Sequence, residues 1–142
     1  MSVEFNHTIV LSQDREKSAR FLAGILGLEV GEPAGVFLPV TTANGVNLDF
    51  ATVDIDIPPQ HYAFLVSEGE FDAILARLVK DGIPIHADPH GRHPRRINRG
   101  DGGRGVYFRD PSGHGMEAFT RPYGSDPASP LNSVTEDVPG AR

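Results

Sequence analysis

Two stretches in which a histidine leads into a short apolar run stand 54 residues apart, Asn6-His7-Thr8-Ile9-Val10-Leu11-Ser12 and Gln60-His61-Tyr62-Ala63-Phe64-Leu65-Val66. Each reads as a strand, because β-branched and aromatic residues at this density suit a pleated, half-buried surface. Past each strand the apolar period lengthens to that of a helix. Ala19, Leu22, Ile25 and Leu26 fall on one stripe between Asp14 and Leu26, and Gly27 stands where a helix would stop. Phe71, Ile74, Leu75 and Leu78 repeat that spacing between Glu70 and Lys80, ahead of Gly82. Short apolar strands are then expected at Leu28-Glu29-Val30 and Ile83-Pro84-Ile85. Each half closes on two more strand-like runs joined by turn formers, Gly35 to Val40 with Gly45 to Val53, and Gly105 to Arg109 with Gly115 to Thr120. The predicted order is β-α-β-β-β, twice, which makes the fold class α+β. An internal repeat constrains a fold more than any local motif does.

Acidic residues repeat with the histidines. Leu48-Asp49-Phe50 ends the first module as Met116-Glu117-Ala118-Phe119 ends the second, so each module offers one imidazole on its first strand and one carboxylate on its last. Asp49 and Glu117 interrupt otherwise apolar strands, where a buried, unpaired carboxylate costs on the order of several kcal/mol. A divalent cation would offset that cost. Two imidazoles with one or two carboxylates suit iron(II), manganese, nickel, cobalt or zinc, and a set of two histidines and one carboxylate leaves coordination positions open for a substrate.

With the paired modules, His7, His61 and Glu117, the segment Gly105-Val106-Tyr107-Phe108-Arg109-Asp110-Pro111-Ser112-Gly113-His114-Gly115-Met116-Glu117 resembles the vicinal oxygen chelate superfamily. That superfamily includes glyoxalase I, fosfomycin-resistance enzymes, methylmalonyl-CoA epimerase, extradiol dioxygenases and bleomycin-binding proteins. The resemblance covers residues 3 to 122. Its most specific part, aromatic-x-Asp-Pro-x-Gly-His-x-x-Glu, also makes sense locally, since Pro111 favours the second position of a turn and Gly113 tolerates positive φ. The resemblance implies one domain over residues 1–122, with module one at 3–54 and module two at 59–121. It implies two βαβββ modules forming a curved mixed sheet around a metal-binding cup. His7, His61 and Glu117 match the commonest ligand triad. Asp49 takes the place where some members supply a fourth ligand, and it is a candidate fourth ligand or general base. It is shorter than the Glu or Gln usual in glyoxalase I.

The function implied is a metal-dependent enzyme that binds a small oxygen-rich, anionic molecule by bidentate chelation to the ion. The reactions in view are those of a lyase, an isomerase, a ring-cleaving dioxygenase or a fosfomycin-type addition. The alternative is a non-catalytic protein that sequesters a drug or metabolite in the same cup, as bleomycin-resistance proteins do. Tyr62 and Tyr107 are candidate substrate contacts or bases. Arg92, Arg95 and Arg96 are candidate contacts to an anionic group. They lie in a polar stretch from Ala87 to Arg104, read as a long irregular loop, which follows His86 and also holds His90, His93, Arg99 and Arg104. His114, inside the turn, is expected to satisfy loop backbone groups.

Composition narrows the remaining classes. With 13 Lys and Arg against 19 Asp and Glu, the net charge is −6, and no basic face of the kind nucleic acid requires is expected. There is no cysteine, so metal ligands must be nitrogen or oxygen. No apolar run is long enough to span a membrane and no signal-peptide pattern occurs near Met1, so a cytoplasmic location is expected. The 142 residues suffice for a core, and exposed sheet edges favour a homodimer. The segment 123–142, rich in Pro and Gly, is expected to be irregular or disordered.

Overall fold

The computed structural model describes residues 2–142. They form two compact units, the first of residues up to Pro59 together with Asp110–Gly113, the second of Gln60–Arg109 with His114–Arg142.

The first unit contains β1 (His7–Ser12), α1 (Arg15–Leu26), β2 (Phe37–Thr41) and β3 (Asn47–Thr52). Its sheet runs β1-β3-β2, with β1 parallel and β2 antiparallel to β3. The helix starts because the Asp14 carboxylate accepts from the backbone N–H of Glu16 and Lys17 at 3.1 and 3.2 Å, supplying acceptors that the first helical turn lacks. It stops at Gly27, whose φ of 73° only glycine adopts without strain. Ala19, Leu22, Ile25 and Leu26, the residues of the sequence stripe, are all buried, alongside Val10, Leu38, Val40, Leu48 and Phe50 from the strands.

The second unit contains β4 (His61–Leu65), α2 (Glu68–Lys80), β5 (Arg96–Asn98), β6 (Gly105–Arg109), β7 (Gly115–Phe119) and β8 (Thr135–Asp137). Its sheet runs β4-β7-β6-β5-β8, with only the β4/β7 pair parallel. A capping box, in which Ser67 and Glu70 exchange backbone and side-chain hydrogen bonds, opens α2. Phe71, Ile74 and Leu78 of α2 are buried, as are Ile85, Ile97, Val106, Phe108, Met116 and Ala118. Arg104 lies with its guanidinium 4.5 Å from the centre of the Phe71 ring and bonds to Glu68 and Asp72 at 2.9 and 2.8 Å.

The class is α+β, with two mixed sheets. Three expectations change in detail. The strands expected at Leu28–Val30 and Ile83–Ile85 shrink to isolated bridges, Val30 with Val40 and His86 with Pro94 and Tyr107. Gly31 and Pro33 break the first run, and Pro84 has no N–H to donate to a ladder. The loop from Ala87 to Arg104 is not irregular throughout, since it holds β5 and a 3-10 turn at Gly100–Gly102. The tail, expected to be irregular, carries a 3-10 turn at Pro130–Ser133 and β8, which pairs with β5 in the register Arg96↔Asp137, Ile97↔Glu136 and Asn98↔Thr135. Composition cannot reveal such pairing, because a three-residue edge strand is selected by the open edge it meets rather than by its own propensity. Among the described residues no helix is long and apolar enough to cross a membrane.

Candidate metal centre

Side chains on a strand alternate between the two faces of its sheet, so register decides which residues can meet. In the second unit the ladders set Ala63 beside Glu117 and Glu117 beside Tyr107. His61 precedes Ala63 by two residues and shares its face. The other face carries Tyr62 beside Met116 and Phe108, both buried. His61, Glu117 and Tyr107 therefore gather on the face turned away from the core.

They touch. His61 Nε2 lies 3.0 Å from Glu117 Oε1. The rings of His61 and Tyr107 stack with centroids 5.9 Å apart. The Tyr107 hydroxyl donates to the Glu117 carboxylate, and burial followed by the charge of Glu117 pushes the phenol well above its ordinary range. Tyr107 thus stays protonated through neutral pH and acts as a hydrogen-bond donor, which corrects its reading as a base. Tyr62 lies on the opposite face from His61, edge-on to the His114 ring at 5.6 Å and 89°.

The first unit repeats this register. His7 pairs with Asn47, and Asp49 pairs with Ile9, two residues past His7, as Glu117 pairs with Ala63, two residues past His61. The repeat seen in the sequence is thus a repeat of strand register. The chemistry around it differs. His7 Nδ1 is 2.8 Å from Asn6 Oδ1 rather than on Asp49, and Pro39 stands beside Asp49 where Tyr107 stands beside Glu117. Asp is one methylene shorter than Glu, and among the described residues no hydroxyl bonds to Asp49.

Among the described residues, no three or more His, Cys, Asp or Glu side chains converge as a metal-binding group. One unit supplies a pair, an imidazole nitrogen and a carboxylate oxygen, on a face where His61 is half exposed. This donor set fits a divalent transition metal in type, and Tyr107 is the outer partner that such a carboxylate ligand requires. Replacing Tyr107 with Phe keeps the ring but removes the donor. We expect metal affinity to fall roughly 10- to 100-fold with the fold intact, as for loss of other outer partners. Competition against a chromogenic chelator measures this, and because the phenol does not ionise in this range, the ratio to the native protein should stay constant from pH 6 to 9.

The arginines divide. Arg96 is bound by its own unit, its Nε 2.7 Å from Thr135 Oγ1, one terminal nitrogen 2.8 Å from the Thr135 carbonyl and the other paired with Asp137. It secures the tail strand, and that use was invisible without the β5/β8 pairing. Arg92 and Arg95 make no ion pair among the described residues. They belong to a segment held by Asp88, whose carboxylate accepts from the backbone N–H of His90, Arg92 and His93 at 3.1, 3.0 and 2.8 Å. Partial burial opposes ionisation of Asp88, yet these bonds hold its carboxyl below the usual range. His86 exchanges both backbone hydrogen bonds with Tyr107 at 2.9 Å and so lies on the same face as Tyr107. Sequence alone could not place it there, since the strand it belongs to is only a bridge.

The family model of the Glyoxalase/Bleomycin resistance protein/Dioxygenase superfamily matches residues 4–118. Metallothiol transferase FosB of Lysinibacillus sphaericus is 31% identical over 120 residues, covering 81% of this chain and 80% of that protein. Glutathione transferase FosA of Serratia marcescens is 29% identical over 123 residues, covering 82% and 80%. The solved structure of Oxidase ChaP-H2 is 56% identical, with a TM-score of 0.87, over 89% of this chain and 99% of that one.

Proposed function

The chain belongs to the glyoxalase/bleomycin resistance protein/dioxygenase superfamily, and from that premise we propose that it is an iron(II)-dependent oxidase of a small molecule presenting two neighbouring oxygens. It is a metal-dependent enzyme of this superfamily acting on a small molecule. The carrying observation is the contact of His61 Nε2 with Glu117 Oε1 at 3.0 Å, backed by Tyr107, on the open face of its sheet. With His7, which the sequence resemblance supplies as third ligand, this makes the two-histidine, one-carboxylate set characteristic of non-haem iron(II) oxygenases. The likeness to an oxidase at 56% identity favours oxidation over the other reactions of the family.

When bound, iron(II) supplies Lewis acidity toward adjacent substrate oxygens and redox chemistry with dioxygen. The remaining roles fall to this chain's own residues. Tyr107 donates to Glu117 and fixes the orientation of its carboxylate. Asp49, on the same face of its sheet as His7, is the fourth ligand or the base that takes a proton from a substrate hydroxyl. Arg92 and Arg95 attract an anionic group. A homodimer is the expected assembly.

A second reading, addition of a thiol or water to an activated small molecule, is favoured by the likeness to the FosB and FosA transferases. Elemental mass spectrometry on protein purified without chelator or affinity tag, followed by dioxygen uptake, separates the two. Near-stoichiometric iron, absent from a His7→Ala/Glu117→Ala double variant, with dioxygen consumed in the presence of a catechol-type probe, is the expected result. Stoichiometric manganese, zinc or nickel without dioxygen uptake would select the addition chemistry. A native protein that takes up no ion after reconstitution would instead indicate a sequestering protein.

A further inference from the structure

We propose that His114 is a positioning residue for the metal centre, its buried imidazole gripping the backbone at Gln60 so that β4 delivers His61 to Glu117. This rests on the reading that His61 and Glu117 hold the ion.

His114 is 1% exposed and lies immediately before β7. Its Nδ1 accepts from the Gln60 N–H at 3.0 Å, which places the ring proton on Nε2. The Gln60 carbonyl accepts in turn from the Gly115 N–H at 2.9 Å. Both backbone groups of the residue before His61 are therefore held by consecutive residues at the entry to the strand that carries Glu117. Tyr62, edge-on to the imidazole, braces the ring.

This clamp sits where register is decided. A slip of one residue in the β4/β7 pair would carry His61 to the core face and Tyr62 to the open one. Parallel pairing needs such a device more than a hairpin does, because no tight turn sets its register. Gly115 completes the arrangement on the other face. It stands beside His61, and a Cβ on it would lie 3.4 Å from His61 Nδ1, in contact with the imidazole. His114 thus holds the strand from the core side, and Gly115 leaves the metal side clear.

Gln60 is an exposed residue and its N–H bond to His114 is part-buried, so an unclamped N–H costs less than a fully buried one would. Loss of the clamp should be read in the geometry of the ligand pair more than in the melting temperature.

Three variants test this with cobalt(II) as the probe, whose visible spectrum reports coordination geometry. His114→Phe keeps a ring and removes the acceptor. His114→Asn sets an oxygen close to where Nδ1 stood. His114→Gln sets it one methylene further out. We expect a folded His114→Phe protein with cobalt(II) affinity roughly 10- to 100-fold below native, in the range for lost outer partners, and an altered visible spectrum. His114→Asn should recover native affinity to within about threefold, on the same scale. The Gln60 amide, followed by hydrogen exchange, should be protected in the native and Asn proteins and fast in the Phe protein, with or without metal. Native affinity and spectrum in His114→Phe would overturn the proposal, as would Asn behaving like Phe in a folded protein. If the Phe variant does not fold, equal cobalt(II) affinity of the Asn and Gln variants would overturn it. A native protein that binds no cobalt(II) yet shows the exchange pattern would retain the clamp and remove the metal reading.

Discussion

Glu117→Ala should lower affinity for a divalent transition metal by more than about 100-fold, beyond the roughly 10- to 100-fold that loss of an outer partner costs. Glu117 is the point at which three side chains meet, with His61 Nε2 at 3.0 Å and the Tyr107 hydroxyl bonded to the same carboxylate. Truncation removes a charged ligand, frees the imidazole and strands a half-buried hydroxyl in one step. Glu117→Gln keeps a hydrogen-bond acceptor for Tyr107 but loses the charge, so it should fold like the native protein and still bind metal poorly. Glu117→Asp is the more discriminating variant. The first unit already contains that experiment in Asp49, which holds the same register relative to His7 yet leaves His7 bonded to Asn6. The shorter acid should therefore lose contact with His61 and bind metal closer to the Ala variant than to the native protein. Titration with manganese(II) or cobalt(II), with circular dichroism to verify folding, measures the series. An Ala variant within tenfold of native would remove Glu117 from the ligand set.

Phe71→Ala should produce the largest loss of stability, about 3–5 kcal/mol out of the roughly 5–15 that hold a domain of this size. The ring is completely buried, so truncation loses its transfer free energy and leaves a cavity in a close-packed interior. A second cost is particular to this site. Arg104 covers the ring at 4.5 Å while bonding to Glu68 and Asp72, so the ring also supports an ion-pair network that is otherwise open to solvent on its acidic side. Phe71→Leu, which retains most of the apolar volume, should lose about half as much or less. Equilibrium denaturation in urea gives both values. A loss below about 1.5 kcal/mol for the Ala variant would mean that the neighbouring side chains close over the site.

Much of the fold was legible from the order of residues. The helix stops near Gly27 and Gly82 and the stripes through Leu22 and Phe71 are local, set by backbone groups and side chains within one or two turns, so periodicity and turn chemistry reveal them. The equivalent register of His7 and Asp49 in one unit and of His61 and Glu117 in the other was foreshadowed by the internal repeat, but only His61 and Glu117 touch. What stayed hidden depended on contacts distant in the chain. The short runs at Val30 and Ile85 look like strands yet make single bridges, because Pro84 and the Gly-Pro residues after Val30 deny them a ladder. The three-residue strands Arg96–Asn98 and Thr135–Asp137 look like loop and tail and are strands only because the first lies between β6 and the second.

The same division runs through the functional residues. By itself the sequence determined the residue types available to the site, nitrogen and oxygen donors without thiols, and their placement on the first and last strands of each module. It did so because the spacing of 54 residues is a covalent fact that folding cannot alter. Only tertiary structure decided that Tyr107 joins Glu117 while Tyr62 turns to the core beside His114, and that Arg96 bonds to the tail strand. Those outcomes turn on strand register, where a shift of one residue reverses every side chain, and register is settled by hydrogen bonds between segments that the linear chain keeps dozens of residues apart.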